Sequence, residues 1–184
     1  LVHVLPVAAP IRQPAEELMT LAQALERELP NPLDRVERVA ERECWSFDRT
    51  NPHEVTMIVE GSWSDLHLSM NWREEVETLH VACGFDAKVP AARREEMAKL
   101  VALVNAQLLH GHFDQWEADG SLVFRNNLLL CGGAEANDAQ CEALIRLAID
   151  TCQRYFPAVQ FVVWAGRGAG EALEASLFET MGEA

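Results

Sequence analysis

Histidines, cysteines, glycine-rich turns and a few carboxylates are the residues of this chain with the means to do chemistry. Gly166-Arg167-Gly168-Ala169-Gly170 follows the apolar run Phe161–Trp164 and precedes a helical stretch, where a dinucleotide-binding loop would sit. Such a loop needs a second strand–helix unit, with an acid about 20 residues on to hold the ribose. With Ala184 the last residue given, that unit is expected to be missing, and the glycines read as a helix connection. His110-Gly111-His112 suggests a metal, but zinc wants three or four ligands and no Cys or acid is spaced to help. Histidines at a helix end, near its dipole, are the plainer reading. His67 and His80 share the polar phase of neighbouring strands, with Glu60 one strand further, and such a group can do general acid–base work. A solvated strand face gives the same pattern, and no nucleophile or oxyanion hole is evident nearby.

The five cysteines are Cys44, Cys83, Cys131, Cys141 and Cys152. Their number is odd, no two form a CxxC pair, and Cys44 has a basic neighbour in Arg42. They read as reduced thiols, mostly small hydrophobes, which points to a cytoplasmic protein. No GxSxG, Walker, HExxH or kinase pattern occurs. The sequence therefore supports no catalytic residue, no metal and no cofactor.

The tryptophans carry more information. Trp63 falls in a tight loop between Ser62 and Ser64, Trp72 ends a strand, and Trp116 lies in a hairpin. Aromatics near loop ends either anchor a protein partner or close the edge of a sheet. Trp63, Trp72 and Trp116 are the candidate partner-binding set.

The elements that would position these residues follow from hydrophobic period. Residues 1–30 read as an extension: a proline-broken stretch, then a short amphipathic helix with Leu18, Leu21, Leu25 and Leu29 on one face. That leucine face needs a cover, from its own core or from a second subunit. A second helix runs from Leu33 to about Glu43 and buries Leu33, Val36, Val39 and Ala40. Trp45–Arg49 is a short strand. Val55, Met57 and Val59, then Leu66, Leu68, Met70 and Trp72, then Leu79, Val81, Cys83 and Phe85 alternate with polar residues. That period of two predicts half-buried antiparallel strands. Pairing Met57 with Leu68, Val59 with Leu66, Leu68 with Val81 and Met70 with Leu79 keeps all apolar positions on one face. A long helix follows Pro90 and ends near Gly111. A hairpin turns at Asp119-Gly120, and a third long helix runs from an Asn137 or Asp138 cap to about Tyr155. Phe161–Trp164 is open between strand and helix, and Glu171–Met181 is a last helix. Grouped antiparallel strands make this an α+β fold, a meander plus hairpin with helices packed on the sheet.

The chain has 184 residues and a net charge of −14, spread along its length, with lysine only at Lys88 and Lys99. No segment is basic enough to neutralise a run of phosphates, which argues against nucleic acid and against anionic membranes. No apolar run reaches the ~18–20 residues that span a bilayer. Leu1–Pro10 has no basic residue before its apolar stretch and reads as a poor signal peptide.

Several segments together resemble the YbjN family, a group labelled sensory transduction regulators. They include Asn31-Pro32-Leu33, Trp45-Ser46-Phe47-Asp48-Arg49, Val59-Glu60-Gly61-Ser62-Trp63 and Asn71-Trp72-Arg73. Phe85-Asp86-Ala87-Lys88-Val89-Pro90, Leu103-Val104-Asn105, Gly111-His112-Phe113-Asp114 and the run Tyr155–Trp164 extend the likeness over about residues 31–184. The resemblance implies a fold like that of type III secretion chaperones, helices on a curved antiparallel sheet. It also implies a homodimer and no known catalytic residues, and it leans Phe161–Trp164 toward helix, with Pro157 kinking or starting it. The expected function is a non-enzymatic protein-binding module, regulatory or chaperone-like, whose partner is an unidentified protein. The alternative is an enzyme or small-ligand sensor using Glu60, His67 and His80.

Overall fold

The computed structural model describes residues 31–181, with side chains through Ser176. The expected helix between Pro14 and Leu29 lies outside the described residues. Helix α1 (Leu33–Arg42) opens the described region and buries Leu33, Val36, Val39 and Ala40, the face its 3–4 spacing predicts. Strands β1 (Ser46–Asn51), β2 (Glu54–Val59), β3 (Leu66–Arg73) and β4 (Thr78–Lys88) form the meander. Helix α2 (Arg94–Asn105) crosses to the hairpin β5 (His112–Gln115) and β6 (Ser121–Leu129). Helices α3 (Asp138–Val163) and α4 (Ala169–Met181) complete it. The six strands make one antiparallel sheet in the order β1-β2-β3-β4-β6-β5.

Strict alternation decides which face is covered. Along β3, Leu66, Leu68, Met70 and Trp72 are buried, whereas the residues between them are exposed or half-buried. The inward set meets Ile145, Cys152, Phe156 and Val159 of α3 in one core. Phe113 binds this core together, with Phe124 edge-on at 5.4 Å and Tyr155 edge-on at 6.1 Å. No helix among the described residues is long and apolar enough to cross a membrane.

Three expectations need correction. Leu68 faces Cys83 and Met70 faces Val81, two residues further along β4 than the alternation alone suggested. The expected pairing would close on Glu74-Glu75 as a two-residue turn, which demands positive φ from side chains that resist it. The chain spends Glu74–Val76 on a 3₁₀ turn instead, with Glu77 left-handed at φ 46°. A slip of two preserves the faces, so the core assignment survives. Helix α2 ends at Asn105 rather than near Gly111 because Asn105 turns its carboxamide onto the next strand. Its Oδ1 accepts from Phe113 N at 2.8 Å and its Nδ2 donates to Phe113 O at 3.0 Å. Helix α3 runs on through Pro157 to Val163, past the expected end at Tyr155. Proline removes one helical hydrogen bond, but Phe156, Val159 and Val162 extend the buried face and offset that loss. The start of α3 is fixed by a capping box: Asn137 accepts from Gln140 N, and Gln140 reaches back to Asn137 N.

Cys44 ends α1 in the left-handed conformation, φ 58°, with Trp45 N bonded back to Ala40 O at 3.0 Å. That is a C-terminal cap whose left-handed position favours glycine. Cys44 is exposed, so its side chain contributes little packing. Cys44→Gly is expected to raise unfolding stability by about 0.5–1 kcal/mol, read from the denaturation midpoint. A lowered midpoint would mean that the thiol makes a contact worth more than the strain.

Candidate functional site

Among the described residues, the helices cover one face of the sheet and leave the other open. Its outward positions form rungs across the strands. One rung is Ile58, His67, Gly84 and Val123, each facing the next. A second is Thr56, Ser69, Ala82 and Arg125. Small residues, Ala82 and Gly84, occupy the middle of both rungs, so the sheet is hollow there. From Gly84 to Lys88, β4 advances four residues while β6 advances two, from Val123 to Ser121. An irregularity of this kind bends a strand and increases its twist, and it folds Lys88 and the hairpin end toward the hollow. The result is an open groove of about 540 Å³ with Ile58 on one side and Trp116 on the other.

The walls are apolar and unshielded. Ile58 is 51% exposed and Trp116 is 49% exposed. Val123 is buried yet stands outside the main core, on the outer face. Polar networks bound the groove. Ser69 donates to Glu54 at 2.7 Å and accepts from Asn71 at 2.7 Å. Arg125 donates to His80 Nε2 at 3.2 Å and to Asp114 at 3.2 Å. Burial, then the positive charge of Arg125, Arg73 and His112, holds His80 below its ordinary pKa of 6.5. Its Nε2 is committed to the Arg125 guanidinium.

The suspected acid–base group is not assembled. His67 lines the groove, but His80 faces Asn71, four residues along β3 from His67 and so about 13 Å away. Glu60 lies beyond the end of β2, at the opposite end from His80. No three His, Cys, Asp or Glu side chains gather to hold a metal among the described residues. The glycine-rich segment is a helix start already filled by the protein's own carboxylate. Glu96 Oε1 accepts from Ala169 N at 2.7 Å, where a phosphate would have to sit. That bond, followed by the one from Lys99, holds the Glu96 carboxyl below its usual range. Cys83, Cys141 and Cys152 are buried, and Cys44 and Cys131 exposed. Burial raises the Cys141 thiol to about 11 and pushes Cys152 well up, against nucleophilic use of either.

The tryptophan set divides. Trp116 forms a groove wall, and Trp63 is 46% exposed in the β2–β3 loop outside the groove. Trp72 is only 4% exposed and must be withdrawn as a partner contact, because it falls in the inward phase of β3 and packs in the core. Ile58, Ala82 and Gly84 were missed. Their signals were an isoleucine in the polar phase of β2 and a glycine in the interior of a strand, a position that marks close approach of another group.

A family model described as "YbjN: Putative bacterial sensory transduction regulator" matches residues 32–161. Among solved structures, the chain is similar to the crystal structure of YbjN from E. coli, described as "a putative transcription regulator". The TM-score is 0.48 at 13% identity, over 80% of this chain and 93% of that one. No curated protein matches the chain.

Proposed function

The chain belongs to the YbjN family, and from that premise we propose that it is a non-enzymatic regulator that works by binding a protein through the open face of its sheet. The groove between Ile58 and Trp116 carries this reading. It offers two large apolar side chains at the rim and small residues at the floor, so a partner side chain can enter without displacing the fold. Exposed aromatics beside a concave apolar surface are the usual anchors of protein recognition. The separation of Glu60, His67 and His80 removes the geometry that the acid–base alternative would need. A net charge of −14 argues against direct contact with nucleic acid, so regulation runs through a protein partner.

The test is affinity capture of the tagged full chain from native lysate, with light crosslinking and mass spectrometry. Trp116→Ala is compared with Trp164→Ala, since Trp164 is 65% exposed but lies at the end of α3. A recurrent, stoichiometric partner should survive Trp164→Ala and fall at least tenfold with Trp116→Ala. Equal recovery with both variants would sink the proposal.

A further inference from the structure

Resting on the reading of the groove as a protein-binding surface, we propose that its occupant is a basic, apolar-anchored peptide segment. One large apolar side chain sits between Ile58 and Trp116, and a lysine or arginine lies one to three residues away. The argument is one of charge at the groove's end. Ile58, His67 and Gly84 face one another across β2, β3 and β4. At the same end of the sheet, Glu60 follows the last residue of β2, Asp65 precedes the first residue of β3, and Asp86 lies next to Phe85, the β4 partner of Leu66. All three are exposed, and none makes an ion pair among the described residues. Lys88, which lines the groove, is engaged by Asp119 at 3.6 Å and neutralises none of them.

Outward rungs lie about 7 Å apart and neighbouring strands about 4.8 Å apart. The three carboxylates therefore gather at the groove's end, with Asp86 one outward step, about one lysine stem, from Gly84 on the apolar floor. A segment crossing the strands places its apolar residue in the hollow and an adjacent cationic head over the carboxylates. A neutral segment leaves three carboxylates unmatched, and an acidic one meets like charge. The carboxylates supply direction and selectivity, and the hollow supplies the buried area.

An array of decapeptides tests this with the full chain as probe. Each peptide carries one central Leu, Ile, Phe or Trp, flanked at one to three residues by Lys/Arg, by Ser or by Glu. A further basic set has Ser at the centre. The Lys/Arg-flanked apolar peptides should retain at least fivefold more protein than the Glu-flanked ones and than the basic peptides lacking an apolar centre. The preference should disappear in a Glu60→Gln/Asp65→Asn/Asp86→Asn variant of unchanged melting temperature, and should weaken at 0.5 M salt. Equal retention across the charge classes, or a preference that survives the triple variant, would overturn the inference. If array selectivity is absent while Trp116→Ala still abolishes capture, the groove remains a binding site and only the basic occupant is wrong. If Trp116→Ala changes neither capture nor array signal, the groove itself is wrong.

Discussion

Gly84→Val is expected to give a protein that unfolds no earlier than its parent and retains no partner. Glycine in the interior of a strand costs about 0.5–1 kcal/mol relative to a residue with a side chain, and β-branched residues favour strands. At Gly84 a Cβ would lie 3.5 Å from Leu122 O and 3.8 Å from Val123 Cγ2, both ordinary contacts. Its φ is not in the left-handed region, so a Cβ is accepted there without backbone strain. The valine methyls would then occupy the floor between Ile58 and Trp116, where the partner side chain is proposed to sit. Stability should rise by about 0.5–1 kcal/mol, while the partner recovered in affinity capture should drop at least tenfold. Full capture by a stable Gly84→Val protein would move the binding surface elsewhere. A marked loss of stability would instead mean that the outer face is more tightly packed than its exposures indicate.

Gly111→Ala should be among the most damaging single methyl additions. Gly111 sits at φ +69°, and a Cβ there would lie 2.7 Å from Arg125 O and closer still to Phe124 Cζ. Neither can yield readily. Arg125 is mid-strand in β6, and Phe124 is fully buried against Phe113. The left-handed penalty and the overpacking together should cost about 2–5 kcal/mol, measured by urea denaturation. Gly132→Ala is the control, because Gly132 shares the positive φ (+76°) but has no atom within 4 Å of the added Cβ. It should cost only the backbone share, about 1–2 kcal/mol. Equal losses in the two variants would show that the Phe124 contact is not the source.

The covered face was legible because burial imposes a period, and a two-residue slip in register leaves that period intact. For the same reason the slip itself was invisible. Alternation constrains which side Leu68 and Met70 face, while Glu74-Glu75 and the left-handed Glu77 decide which residue of β4 they meet. Helix ends set by side chains from elsewhere were also hidden, as at Asn105, whose partner Phe113 lies beyond the helix. The groove was the least legible part. It is made of what is missing, the side chains of Gly84 and Ala82, and of an irregularity in β4 that no local pattern announces. Trp116 was readable as an aromatic near a turn, yet Trp72 looked equivalent until the phase of β3 was set beside the core.

The two margins of the sheet are unequal, and this bears on how copies could assemble. At β5 the Asn105 carboxamide occupies Phe113 N and O, so an incoming strand cannot use those two groups. Head-to-tail stacking of sheets into a fibre requires two complementary open margins on each molecule, and here one is obstructed at Phe113. Lateral growth is hindered at β5, and a margin that joins only its own twin closes about a twofold axis. One amide side chain at the end of a helix thereby acts as a guard against polymerisation, at the cost of shortening α2.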